Sequence, residues 1–517
     1  MFDRPQDGPI ERLPTELLSQ IVGYFRPHAS ASVPTIRSKF DRGPGKSLEA
    51  NLATLCLVSK RFYSVGTGYL YQSVSTHNPD QLFRFFRTVL ISSDRATLVR
   101  SFAFNGWYGY HSDSEHDLFI DLKFELYGLM LPDRIDPAAQ EAIGFLGFTD
   151  VSDVSQQKVL AAVLTLMSSV ESLFLSGCTR LPLDLKIRAM PRWARPTGQG
   201  TTGNFWTWIA GLGTLHDATL TTSDSVPCRR ILPRLSRVAL APGWGDTDGT
   251  VLFDELLISL LLHPQPLSRL ELIEVRLPPG GIPQVAFAAA RDVRELSICG
   301  RDMSSVGLQN LVTSFPNLVN LEIEVMHPYE LPEDLNTDNS TSIVDSVYST
   351  LTLLSDTLTS LTLLTNLKEQ QALLKDMESR AVPPLLTRLD ELTSLRCLTT
   401  ETVWLFGRVQ AEVPMSFDHF VRSLSLPPSL VRLHLIDSWG FGTQWAGALD
   451  RELPYYPCFS TGSPVEFYKE LPYFIRKETV PNLLEIRLEA DFARLICPNA
   501  KWNPRKRFGD LRSFSTP

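Results

Sequence analysis

One short pattern recurs along this 517-residue chain and limits what it can fold into. The pattern is apolar, two residues, apolar, one residue, apolar. It reads VESLFL at 170–175, LHDATL at 215–220, LSRVAL at 235–240, LSRLEL at 267–272 and VRELSI at 293–298. It returns as LVNLEI at 318–323, LTSLTL at 358–363, LVRLHL at 430–435 and LLEIRL at 483–488. Looser copies are VRSFAF at 99–104 and LTSLRCL at 392–398. Helical stretches precede several copies, among them VLAAVLTLM at 159–167 and LFDELLISLLL at 252–262. Alternate residues of a strand share a face, so the last two apolar positions of each copy point to one side. One unit cannot bury that face alone, whereas stacked neighbours can. At this length the chain exceeds what one globular core usually serves, which also favours several domains or an array.

The pattern resembles the leucine-rich repeat, whose core is L-x-x-L-x-L. The Asn or Cys usual three positions later is mostly missing. From VESLFL onward copies start 20 to 53 residues apart, against about 20–29 in that repeat. The resemblance implies an α/β fold: an irregular solenoid over 76–498, with parallel strands, convex-side helices and insertions at 105–158 and 179–206. The plainer alternative is an α/β domain of amphipathic strands, and nine good copies weigh against it. In a repeat strand the residues flanking the central apolar position face outward, usually onto the concave side. Here they include Arg237, Arg269, Glu271, Glu295, Glu322, Arg432, His434, Glu485 and Arg487. Their mixed signs imply a polar, peptide- or protein-sized target.

The N-terminal segment is organised differently. Leu13, Leu17, Leu18, Ile21 and Phe25 recur at helical spacing, with Pro14 in the first turn where a helix tolerates it. Leu48, Leu52, Leu55, Val58 and Phe62 repeat the spacing and predict a second helix. Helices this short are marginal alone and must pack on each other. The residues Leu13-Pro14, Glu16-Leu17-Leu18 and Ile21, then Leu55-Cys56-Leu57-Val58-Ser59-Lys60-Arg61-Phe62-Tyr63 and the trailing Tyr69-Leu70-Tyr71, resemble the F-box. The resemblance implies that residues 1–75 dock on the Skp-type adaptor of a Skp–cullin–F-box ubiquitin ligase. It also implies that the array presents a protein substrate, as in fungal members of that family. The adaptor-binding set would be Leu13, Pro14, Glu16, Leu17, Leu18, Ile21, Val58 and Phe62. Within it Leu13 and Pro14 would lie at the adaptor surface, and Ile21, Val58 and Phe62 would fill an apolar seam. Leu17 and Leu18, with Leu55, would hold the helices together. Two departures stand out. The loop 26–47 is longer than the usual turn, a change that costs little closure entropy. Phe62 stands where many members carry Trp, which keeps an aromatic anchor without the indole N–H. An alternative reading is a repeat scaffold for protein interactions with no ubiquitylation role.

Several chemistries find little footing. A net charge of −8 lacks the basic footprint that nucleic acid or an anionic membrane selects. The seven cysteines are scattered, with no CxxC and no His pair at metal spacing, which predicts a reducing compartment, cytoplasmic or nuclear. The N-terminus lacks the apolar core of a secretory signal, and no apolar run reaches the roughly 18 residues of a membrane span. GPGKS at 43–47 ends like a phosphate-binding loop, but Phe40 replaces the first Gly and SVPTIRSKF is no buried strand. The expectation is a surface loop whose Ser47 caps the next helix. Residues 105–158 carry ten acids and three bases, and His111, Asp113, His116 and Asp117 there could be imagined around a metal. Such composition more simply predicts a solvated, mobile insertion. The tail KWNPRKRF at 501–508 is basic. No catalytic motif, cofactor motif or metal site is recognisable, so the expectation is a recruiting protein rather than an enzyme.

Overall fold

The computed structural model describes residues 12–25, 45–76, 78–105, 123–129, 135–137, 139–140, 156–176, 182–183, 203–204, 232–241, 267–277, 292–303, 305–325, 350–365, 386, 388–401, 405, 426–437 and 480–490. The fold is α/β. The chain divides into two compact units, Met1–Val275 with Val285–Asp292, and Arg276–Gln284 with Val293–Pro517.

The first unit opens with three helices, α1 (Thr15–Gly23), α2 (Gly45–Val58) and α3 (Lys60–Leu70). Strand β1 (Ser73–Thr76) follows within two residues of α3. Next come α4 (Pro79–Ile91), α5 (Ser93–Leu98), β2 (Ser101–Asn105), α6 (Gln156–Leu166), β3 (Ser172–Ser176), β4 (Arg237–Ala241) and β5 (Arg269–Leu277). Each strand pairs in parallel with the next one in the chain. Parallel neighbours need a crossover, and here the first two crossovers are helical. Asn78 caps α4 by accepting from the Gln81 N–H at 2.8 Å, and Pro79 sits at its first position. The apolar face of α4 then buries Leu82, Phe83, Phe86, Val89 and Leu90. Phe85 stacks on Phe102 of β2, with ring centroids 5.9 Å apart.

The second unit continues the scheme with β6 (Glu295–Met303), α7 (Ser305–Thr313), β7 (Asn320–Val325), β8 (Ser360–Thr365), β9 (Cys397–Glu401), β10 (Arg432–Asp437) and β11 (Glu485–Ala490). Again each strand lies parallel to its successor. Core residues stack in rows across the strands: Leu296, Leu321, Leu361, Leu398 and Leu433 in one row, with Ile298, Ile323, Leu363, Thr400 and Leu435 in the next. All ten are buried. The apolar residues Leu318, Leu358, Leu395 and Leu430, each two residues before a strand, are fully buried at the end of a tight turn.

A backbone device repeats with the strands. The carbonyl just before one strand accepts two N–H groups from the start of the next. In the first unit Gln72, Arg100, Glu171 and Ser236 do this, and in the second Arg294, Val319, Thr359, Arg396 and Val431. Each of these paired bonds is 2.8–3.2 Å long. The device fixes the register where β2–β5 and β7–β11 begin, whatever the length of chain between.

Several expectations change. Strand β1 is new, since SVST carries no repeat pattern. The predicted helix over 48–62 breaks at Ser59, which turns extended and caps α3 by accepting from the Phe62 N–H at 3.3 Å. The acidic segment 105–158 is not wholly a solvated insertion. Its residues 123–129 form a helix with Leu126 buried, and Glu125 pairs with Arg87 of α4 at 2.9 Å. Asp136 accepts from the Ser93 hydroxyl at 2.7 Å and donates its backbone N–H to Leu90. In the segment 179–206, Pro182–Leu183 and Gly203–Asn204 form a short antiparallel pair. The copy LHDATL, the stretch 252–262 and the tail 501–508 lie outside the described residues.

The core rows predict where truncation hurts. Leu321→Ala or Leu433→Ala should cost about 2–5 kcal/mol in chemical denaturation. Arg432→Ala, exposed one position before Leu433, should stay within about 0.5 kcal/mol. Equal costs would count against the stacked rows.

Candidate docking surface

The three N-terminal helices share a small core of their own. Leu18 and Val22 of α1, Leu52 of α2 and Phe62 of α3 are buried together, and Leu13, Phe25, Leu55, Val65, Tyr69 and Leu70 pack around them. Residues four apart on a helix share a face. Leu18 and Val22 form the inward stripe of α1. Leu17, Ile21 and Tyr24 form a second stripe about 100° round, and all three are exposed. Glu16 lies in the first turn of α1, where a carboxylate suits the positive end of the helix. The Arg61 guanidinium donates to the Leu13 carbonyl and ties the start of α1 to the start of α3.

At the end of α2 the apolar surface is most open: Leu57 is 86% exposed and Val58 64%. Tyr63 at the start of α3 is also exposed. A soluble helix normally turns such residues inward, and here Leu17, Ile21, Tyr24, Leu57 and Val58 are exposed together in one small helical unit.

The assignment of roles in this segment shifts in two places. Phe62, expected in the outward seam, is 5% exposed and fills the core, because the break at Ser59 starts a new helix and turns its first face toward α1 and α2. Leu17, expected to hold the helices together, faces out, because Leu18 and Val22 already occupy the inward stripe. Leu18 is buried as expected. Pro14, Glu16, Ile21 and Val58 are exposed, and Leu13 is half-buried. Leu57, quoted in the resembling stretch without a docking role, and Tyr24, not named in sequence, are both exposed. Their signal is there: each continues an apolar stripe that the inward residues do not need.

Crossing of α2 and α3 depends on Gly66. A Cβ built there would lie 2.5 Å from the Cys56 sulfur. Burial pushes the Cys56 thiol above its ordinary pKa, so it stays protonated and unreactive.

The outward residues of the strands gather by unit. In the first, Arg237 and Arg269 are register partners, and the Arg269 Nε lies 2.7 Å from Glu271 Oε1. Glu271, expected to face a target, is only 5% exposed, held against its neighbour's guanidinium. Beside it the same face carries Phe174 between Ala103 and Ala239, two small residues that leave room for the ring. In the second unit one row aligns Ser297, Glu322, Thr362, Thr399, His434 and Arg487, and the Ser297 hydroxyl donates to Glu322 at 3.3 Å. The preceding row aligns Glu295, Asn320, Ser360, Cys397, Arg432 and Glu485, with Arg432 Nε 3.4 Å from Glu485 in an exposed pair. Glu324 and Glu401, not singled out in sequence, lie on the same side of their strands as Glu322 and Thr399, and both are buried.

Gly45-Lys46-Ser47 are already helical, so Ser47 lies inside the first turn of α2 rather than capping it. Residues 40–44 and the four residues His111, Asp113, His116 and Asp117 lie outside the described residues. Among the described residues there is no group of three metal-ligating side chains, and no helix is long and apolar enough to cross a membrane. No family model matches the chain and no curated protein matches it.

Two glycines test the helical packing. Gly66→Ala should destabilise the helices by about 1–3 kcal/mol through overpacking against Cys56. Gly68→Ala meets nothing within 4 Å and should gain up to about 1 kcal/mol of helix propensity. Circular dichroism melting of the two variants should move in opposite directions.

Proposed function

We propose that this chain is a substrate-recruiting F-box subunit of a ubiquitin ligase. Helices α1–α3 would dock on a Skp-type adaptor, and through it on a cullin. The strand array, a degenerate leucine-rich-repeat-like solenoid in this reading, would hold a protein target. The observation that carries the reading is the exposed apolar set Leu17, Ile21, Leu57 and Val58 on a helical unit whose core is already complete without it. It is joined to the F-box-like residues Leu13-Pro14 and Leu55–Tyr63, and to successive parallel strands with polar outward rows. The gain in such an arrangement comes from proximity: a target held beside transferable ubiquitin reacts as if intramolecularly. The chain supplies positions and no bond-making group. Its place of action in this reading is the cytoplasm or nucleus, where ubiquitin ligases work.

The burial pattern separates the residues that should matter for docking from those that matter for folding. The full chain should bind purified Skp-type adaptor, and the triple variant Leu17→Ala, Ile21→Ala, Val58→Ala should bind at least ten-fold more weakly. Its melting should change little, because the three side chains are exposed. Phe62→Ala should instead cost about 3–5 kcal/mol of helical stability. Wild-type chain that does not bind, or a triple variant that binds equally well, would refute the reading. Adaptor binding without cullin-dependent ubiquitylation of any captured protein would favour a plain scaffold.

A further inference from the structure

We propose that Arg95 is the positioning residue that fixes helices α1–α3 to the first strands of the array. The proposal builds on the docking reading for its consequence, while its geometry stands apart from it. The three helices have their own core, so the join to the following elements needs other contacts. Arg95, on α5, supplies them. Its Nη2 donates to the Tyr63 hydroxyl at 3.1 Å and its Nη1 to the Tyr71 hydroxyl at 3.3 Å. Its guanidinium lies 5.5 Å from the centroid of the Tyr71 ring, within cation–π range. Tyr63 and Tyr71 are eight residues apart, so their side chains bring two points along α3 to one planar fork.

The join is reinforced in the backbone. Tyr71 closes α3, with its N–H bonded to Thr67, and the next carbonyl, Gln72, accepts from both Arg100 and Ser101 at the entry of β2. Helix α5 lies against α4 and α6, so Arg95 joins α3 to the layer covering β1–β3. Lys is a poor replacement, because its compact ammonium on a single atom lacks the planar fork that reaches both hydroxyls from over the Tyr71 ring. Anything docked on α1 and α2 is thereby held at one angle to the strands. Tyr63, partly exposed, borders both the docking residues and the clamp.

The test uses the full chain, with site-resolved hydrogen exchange, melting and adaptor binding measured on the same variants. Arg95→Ala should speed exchange at the N–H groups of Gln72, Arg100 and Ser101 at least ten-fold. Exchange of Val65 in α3 and of Val238 in β4 should stay unchanged, with melting near wild type. Tyr63→Phe with Tyr71→Phe, which removes the acceptors and keeps the rings, should reproduce the change, and Arg95→Lys should not restore the wild-type rates. If Arg95→Ala does not fold, the Phe pair decides alone. Adaptor affinity should remain within two-fold of wild type in Tyr71→Phe alone. Unchanged exchange at the join in both variants would overturn the proposal. So would a uniform rise through α1–α3, which would make Arg95 a stabiliser of the helices rather than their join. A wild-type chain that binds no adaptor would retire the docking reading and leave the exchange result to decide the join.

Discussion

The structure depends on a hydrogen-bond device smaller than any of its domains. At nine strand entries one carbonyl accepts two N–H groups from the next strand, from Gln72 to Ser236 in the first unit and from Arg294 to Val431 in the second. The bond pair fixes where a strand begins. Strand register then follows, and with it the side to which every leucine points. Intervening chain can grow without disturbing it, because closing a longer loop adds only slowly to the entropic cost. That explains how copies 20 to 53 residues apart can still stack Leu321 on Leu361 and Leu398 on Leu433.

Two kinds of surface follow from two kinds of packing. A strand that spends its alternate residues on a core row must show the others elsewhere. In the first unit these others include Ala103, Phe174 and Ala239, which are buried, beside Arg237 and Arg269; in the second they are polar, at Ser297, Glu322, Thr362 and His434. Short helices behave differently. Helix α1 buries Leu18 and Val22 against its neighbours and leaves Leu17 and Ile21 exposed. Burying leftover apolar area of this kind is what a protein partner offers.

Much of the array was legible in the sequence because its signal is redundant. Apart from LHDATL, each copy of the pattern lies on or at the start of a strand, including the loose LTSLRCL, where Thr400 takes an apolar position and is buried like the rest. Strand β1 was not legible, since Ser73-Val74-Ser75-Thr76 has no leucine and pairs through its backbone. The break at Ser59 was hidden inside an apolar run. Its one trace is a Ser three residues before Phe62, a capping signal that periodicity alone overrules. The exchange of Leu17 and Phe62 has a similar origin: with apolar residues at 17, 18, 21 and 22, spacing alone admits two inward stripes. Glu271 is buried although it flanks the central Leu270 of its copy, because its partner Arg269 two residues away makes burial tolerable.

The account turns on where a partner sits, and photo-crosslinking reads this directly. A benzophenone side chain would be placed at Leu57, at Tyr24 or at Arg237 of the full chain, and each protein irradiated with Skp-type adaptor. The account predicts adaptor adducts from positions 57 and 24 and none from 237. Adducts from 237 alone, or none from any position in a folded chain, would contradict it.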